Sequence, residues 1–239
     1  MSRKPSISEA LFTRVLPSLK KKAPYFSLNT VRSALNEAKI EPSDATLREY
    51  MSEAMASGII HDAGRGWYSR HEKSASLDPK PVRTLIRNVE KPFPLLDFCC
   101  WSTMQFNPFA QHLIAQPTFL LYTESDALGS VAESLRDAGW DAWANPKRKD
   151  AERLVRPGEK TVVLRPAISK QPESKDHVAS IEKALVDLMI EAPRLQLMDS
   201  SEVQRIVDTC LQAGLLQVSD LLTYAARRRQ HIESFSIID

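Results

Sequence analysis

SDATLREYMSEAMASGIIHDAGRGWYSR, residues 43–70, decides how the first third of the chain is read. Ser43 follows Pro42 and stands where a helix N-cap belongs, its hydroxyl available to an orphan backbone N–H. Leu47, Tyr50, Met51, Ala54 and Met55 recur at helical spacing and predict a core-facing stripe, with Thr46, Arg48, Glu49, Ser52 and Glu53 on the outside. Gly58 suits the left-handed residue just past a helix end. Ile59 and Ile60 are expected to open a strand, Gly64 and Gly66 to make the turn, and Trp67 and Tyr68 to return as its partner. A helix with a polar outer face, followed at once by a small hairpin, is the pattern of the recognition helix and wing of a winged helix-turn-helix.

The preceding residues supply the remaining helices of that pattern. In 6–22, Ala10, Leu11, Val15, Leu16 and Leu19 form an apolar face that Pro17 should kink or shorten. Lys20, Lys21 and Lys22 follow, at the negative end of the helix dipole. Ser27 is placed to cap a second helix with Leu28, Val31, Leu35 and Ala38 inward, and 39–42 leads into the helix already described. Three helices and a hairpin in this order predict DNA contact. The residues expected to make it are Lys20, Lys21, Lys22, Asn29, Thr30, Arg32, Thr46, Arg48, Ser52, Arg65 and Arg70. Arg65 would sit at the wing tip, within reach of a minor groove or a phosphate. Glu49 and Glu53 oppose a polyanion on the same helix. The alternative reading is therefore a protein-interaction module whose winged helix grips a protein partner without binding DNA.

Beyond this point the pattern changes. Residues 76–92, with Pro79, Pro81 and Pro92, read as a linker between a first domain over 1–75 and a second over 93–239. In the second, 95–101, 118–122, 141–144 and 161–165 are apolar enough for strands. Helical patterns at 126–138 and 149–155 are interleaved with them. Strands separated by helices predict a small α/β domain. Helical stretches at 177–190, 200–213 and 219–229 then form a C-terminal cluster. The expected class is α/β of the α+β kind: an N-terminal winged helix-turn-helix, a small α/β domain and terminal helices.

Composition narrows the function classes. Of 239 residues, 43% are apolar and 26% charged, the balance of a globular protein, and the formal net charge is only +2. That charge is uneven, with 12 Lys and Arg against 8 Asp and Glu in residues 1–75, and 20 against 22 in the remainder. A basic first domain on a slightly acidic body fits nucleic-acid contact at one end. Cys99, Cys100 and Cys210 are odd in number and two are adjacent, which predicts a reducing compartment. No membrane-spanning run and no leader pattern is read, so the expected location is the cytoplasm of a prokaryote.

No catalytic residues, metal ligands or cofactor are expected. Asp137 and Asp141 lie four apart across a turn, unlike the paired carboxylates of a nucleotidyltransferase strand. Asp97, Glu124 and Asp126 lack the lysine a metal nuclease would place beside them. The five histidines have no ligand spacing, and no phosphate-loop or nucleophile-elbow motif occurs. Two basic runs, 147–149 and 227–229, read first as solvated helix ends.

The wing sequence GIIHDAGRGWYSR (58–70), followed by IEKALVDLM (181–189) and LLTYAARRR (221–229), resembles the AbiEi family. NPFAQH (107–112), TFLLYTESDALGSVAESL (118–135), ANPK (144–147) and VVLRPAIS (162–169) extend the resemblance to most of residues 25–230. The resemblance implies an antitoxin and transcriptional autorepressor of a bacterial type IV toxin–antitoxin pair, associated with abortive infection and phage defence. Its winged helix would bind promoter repeats of its own operon. The remainder would counteract a nucleotidyltransferase toxin, with or without a direct complex. Glu182, Lys183, Asp187, Tyr224, Arg227 and Arg228 match the family's antitoxin-domain motif. Their expected role is structural, with charges of the 181–189 helix bridging to Arg227 or Arg228.

Overall fold

The computed structural model describes residues 6–72 and 75–239. Residues 1–5 and 73–74, assigned by sequence to the first domain, lie outside the described residues, as does the start of the segment read for a leader. The chain is α+β and gathers into two units. One comprises residues 1–75, 208–223 and 231–239; the other comprises 76–207 and 224–230. This differs from a boundary near residue 93, and the expected linker is the reason. Residues 80–90 form a short 3-10 turn (Lys80–Val82) and a helix, and Val82, Leu85 and Val89 are buried in the core of the second unit. Pro81 sits in the turn that starts the helix, where its fixed φ helps and its missing N–H costs nothing.

The first unit begins with α1 (Ile7–Ala10), a π-helical turn (Leu11–Val15) and α2 (Leu16–Lys22). Pro17 neither breaks nor shortens the run. The Leu16 N–H bonds to the Leu11 carbonyl five residues back, so the register widens where the proline brings no donor. There follow β1 (Tyr25–Ser27), α3 (Leu28–Glu37), α4 (Asp44–Ala56), β2 (His61–Asp62) and β3 (Trp67–Ser69). Ser27 and Ser43 cap α3 and α4, their hydroxyls accepting the N–H groups of Thr30 and Thr46. Past α4, Gly58 is left-handed, and the N–H groups of Gly58 and Ile59 bond to the carbonyls of Met55 and Ala54. That pairing is a Schellman motif, and it takes Ile59 and Ile60 out of the expected strand. β2 starts only at His61.

Continuing along the chain are α5 (Arg83–Glu90), β4 (Phe98–Ser102), β5 (Phe119–Thr123), α6 (Leu128–Asp137), β6 (Asp141–Ala144), α7 (Arg148–Leu154) and β7 (Thr161–Pro166). The last elements are α8 (Ile181–Leu195), α9 (Ser200–Gln212), α10 (Val218–Arg227) and β8 (Ile237–Ile238). The helix expected from 177 begins four residues later, capped by Ser180. Before it, the Cys100 N–H bonds to the His177 carbonyl and the Ala179 N–H to the Cys100 carbonyl, so the edge of β4 claims this stretch.

Two sheets result. In the first unit the order is β2-β3-β1-β8, antiparallel except for the parallel pair β1–β8. Phe26, Val31, Leu35, Leu47, Met51 and Tyr68 form its core. In the second the order is β4-β5-β7-β6, with β4 antiparallel to β5 and the rest parallel. Alternation along these strands sorts the residues onto two faces. Phe98, Cys100, Phe119, Leu121, Val162 and Leu164 pack with α5 and α6. Cys99, Tyr122 and Arg165, adjacent in register, point to the opposite face and meet α8.

Candidate nucleic-acid interface

Three of the expected DNA-contact residues converge. Asn29 in the first turn of α3, Arg48 on α4 and Arg65 in the β2–β3 turn line one open hollow of about 600 Å³, with Trp67 and Tyr68 in its wall. Local structure brings them together. The Leu28 N–H bonds to the Gly66 carbonyl at 2.9 Å, tying the start of α3 to the hairpin turn and setting Asn29 beside Arg65. Gly64 and Gly66 both have positive φ and present Arg65 at the tip. Arg48 comes close enough for its charge to act on Tyr68. Burial and the Asp62 carboxylate push the Tyr68 hydroxyl above its ordinary pKa, and Arg48 pulls the other way.

The acidic residues of α4 lie elsewhere. Glu49 and Glu53 do not line the hollow. At about 100° per residue they stand roughly 100° and 140° around the helix from Arg48. Ser52, one turn after Arg48, is exposed on the same side.

Other expected contacts are engaged within the fold. Lys20 Nζ donates to the Ile59 carbonyl at 2.6 Å, and Arg70 donates to the Lys20 carbonyl and to His71 Nε2. Thr30 Oγ1 donates to the Ile238 carbonyl at 2.9 Å. Arg32 pairs with Asp44 at 2.8 Å, and the Thr46 hydroxyl meets Ser43 Oγ. Lys21 and Lys22 are exposed at the end of α2. The hollow also contains Asp239, a residue the sequence reading did not select; nothing in its neighbours announces that β8 returns it here.

A second constellation is buried in the other unit. Lys183 and Asp187, one turn apart on α8, are fully buried and paired at 2.6 Å. Asp187 also accepts from the Tyr224 hydroxyl at 2.9 Å and from Arg228 at 3.2 Å. Lys183 Nζ lies 3.4 Å from the centre of the Tyr122 ring, a cation–π contact, and 3.3 Å from the Tyr224 oxygen. Glu182 is buried and Arg227 is exposed. Burial, followed by the nearby Asp187 carboxylate, raises both the Tyr122 and the Tyr224 hydroxyls above their ordinary range. Burial likewise pushes the Cys99 thiol up to about 11, which keeps it protonated and unreactive at neutral pH.

One further turn along α8, Glu191 holds Arg165 at 2.6 Å. The same guanidinium reaches the Asn145 side chain and the Pro146 carbonyl, joining the ANPK and VVLRP segments. Arg165 and Glu191 were not selected by sequence. The signal was present: Lys183, Asp187 and Glu191 recur every four residues on a helix whose other residues, apart from Glu182 and Arg194, are apolar, and a buried charge demands a partner. These groups hold one another, so the arrangement is a packed ionic core joining sheet to helix.

The matching family model spans residues 46–238 and is described as a family of unknown function (DUF6577). The chain belongs to that family. No curated protein and no solved structure matches it. The DUF6577 match starts inside α4 and runs to β8, so it takes in the hairpin, the ionic core and the strand that returns to β1. Among the described residues, no helix is long and apolar enough to cross a membrane.

Proposed function

We propose that this chain is a DNA-binding transcriptional autorepressor and antitoxin of a bacterial toxin–antitoxin operon, of the AbiEi kind, acting in the cytoplasm against a nucleotidyltransferase toxin. In this reading α3, α4 and the β2–β3 hairpin serve as a winged helix-turn-helix, with α4 as recognition helix and Arg65 at the wing tip. The observation that carries it is the convergence of Asn29, Arg48 and Arg65 on one open hollow, with Glu49 and Glu53 turned away. Two guanidinium groups and an amide, presented from a helix face, a hairpin turn and a helix start, suit phosphate and base-edge contacts. Lys21 and Lys22 add exposed positive charge in the same unit. The antitoxin half of the reading rests on the resemblance of the α8 and α10 motifs. Their buried ionic core supports a structural role for Lys183, Asp187, Tyr224 and Arg228.

The test is fluorescence anisotropy with a duplex taken from upstream of the gene. If Lys21, Lys22, Arg48 and Arg65 each neutralise a phosphate, log K should fall with log salt at a slope of about −3 to −4. Arg48→Ala and Arg65→Ala should each weaken binding about five- to tenfold, roughly 1–1.4 kcal/mol per contact. Absence of binding at low salt would sink the reading. Co-expression with a neighbouring nucleotidyltransferase gene tests the antitoxin half: growth should be restored by the full chain.

A further inference from the structure

The residues after α10 bring a strand and a carboxylate onto the surface just assigned to DNA. β8 lies parallel to β1, with Tyr25 opposite Ile237 and Phe26 opposite Ile238. The Tyr25 N–H bonds to the Ser236 carbonyl at 3.1 Å. The next contact falls on the candidate interface itself. The Ile238 carbonyl accepts a hydrogen bond from the hydroxyl of Thr30, in the first turn of α3, at 2.9 Å. That hydroxyl and the exposed Asn29 before it belong to a helix start, where a backbone phosphate is ordinarily received. One residue further, Asp239 lines the same hollow as Arg48 and Arg65.

The attachment is light. β8 has two residues, both only half-buried; Ser236 just before it is buried, but Phe235 before that is fully exposed at 101%. Ile238 packs against the core from its edge and is not among the buried residues that make it. A two-residue edge strand with few buried contacts opens at little cost compared with the sheet it borders.

We propose that residues 236–239 form a displaceable strap over the DNA-binding face, in which the Ile238 carbonyl occupies the Thr30 hydroxyl and Asp239 places a negative charge in the hollow that Arg48 and Arg65 line. The inference rests on the DNA-binding reading above and gives it a regulation. Duplex binding requires the strap to yield the Thr30 hydroxyl and its share of the hollow to phosphate. Apparent affinity is therefore lowered by the fraction of molecules with the strap in place. A partner that captures residues 235–239 would raise the affinity for DNA.

The test uses the full chain, an Asp239→Asn variant that keeps the strand, and a variant lacking residues 235–239, all checked for an unchanged melting transition. Anisotropy is read with the upstream duplex and with one of scrambled sequence. Removing the Asp239 charge should tighten binding of both duplexes about three- to fivefold at low salt, an effect that fades as salt screens it. Deletion should tighten it further, because Thr30 becomes available to phosphate, and this added gain should persist as salt rises, since a neutral hydroxyl releases no counterion. Hydrogen exchange should show the Ile237 and Ile238 amides of the full chain losing protection when duplex is added. Duplex binding unaffected by Asp239→Asn, or amides that gain protection, overturns the strap and leaves DNA binding standing. Weaker binding by a folded deletion variant also overturns it, since the strand would then be part of the grip. If neither the full chain nor any variant retains duplex at low salt, the DNA reading fails and the strap with it.

Discussion

Asp187 is the residue on which the ionic core of the second unit turns. Its carboxylate accepts from a lysine, a tyrosine and an arginine, and all of its own side chain is buried. Taking it away leaves Lys183 and Arg228 facing each other with no anion between them. Loss of one partner from a buried pair costs about 3–5 kcal/mol, and Asp187→Asn should fall in that range. Lys183→Met should cost less, because Asp187 keeps Arg228 and Tyr224. Urea unfolding of the two variants would check the order; a larger loss for Lys183→Met would contradict it. The pairing gives the lysine and the aspartate of the E-K-x-L-V-D pattern a packing role. A lysine at 2.6 Å from a carboxylate and 3.4 Å from a tyrosine ring has its charge consumed by packing.

At the level of elements, what could be read from sequence was whatever carried its own pattern. α4 has its serine cap, apolar stripe and terminal glycine within sixteen residues, 43–58, and folds as that pattern dictates. The strands of the second sheet coincide with apolar runs, except that the run at 95–101 becomes strand only from Phe98 and leaves Leu95 exposed. α5 is masked by the prolines that flank it, although Val82 just before it and Leu85, Ile86 and Val89 within it stand at helical spacing against the core. β1 and β8 were not legible at all, since three and two residues carry no period and each exists through a distant partner. The same non-local logic governs His71 after β3. Its Nε2 accepts from Arg70, and its ring lies where a side chain on Gly214 would have to go. Burial first, then the charges of Arg70 and His61, lower the His71 pKa below its ordinary 6.5. The unfolded chain thus binds a proton more readily than the folded one. The stability this contributes is fully present above about pH 6.5 and declines as pH falls below it. Comparing urea midpoints of the parent and His71→Asn from pH 7.5 to 5.5, roughly spanning that pKa, should show a smaller drop for the variant. Equal drops would remove His71 as a cause.

For the molecule as a whole, the consequential finding is that the first unit is not built from its first residues alone. Residues 208–223 and 231–239 belong to it with 1–75, and the chain passes between units inside α9 and again inside α10. Composition and charge could mark the basic first third, but no local signal could say that it takes its remaining parts from over 130 residues further on. The segment 208–223 is bonded into its interior. The Leu216 N–H donates to the buried Tyr25 hydroxyl at 2.8 Å, and the Ser219 N–H donates to the Ala63 carbonyl at 3.1 Å beside the hairpin turn. Cys210, Leu211, Leu216, Val218 and Leu221 are all buried there. A fragment of residues 1–75 would expose the faces these side chains cover and leave Tyr25 without its donor. Each large apolar side chain returned to water forfeits about 1.5–3 kcal/mol, against a total stability of only about 5–15 kcal/mol for a domain. The fragment should therefore lack a cooperative thermal transition, and it should not retain duplex DNA under conditions where the full chain does. A sharp transition near that of the full chain would show that 1–75 folds alone. Testing the proposed DNA binding apart from the proposed antitoxicity by cutting near residue 76 would then be sound; without that transition, the two proposals have to be tested separately by point substitutions such as Arg48→Ala in the intact chain.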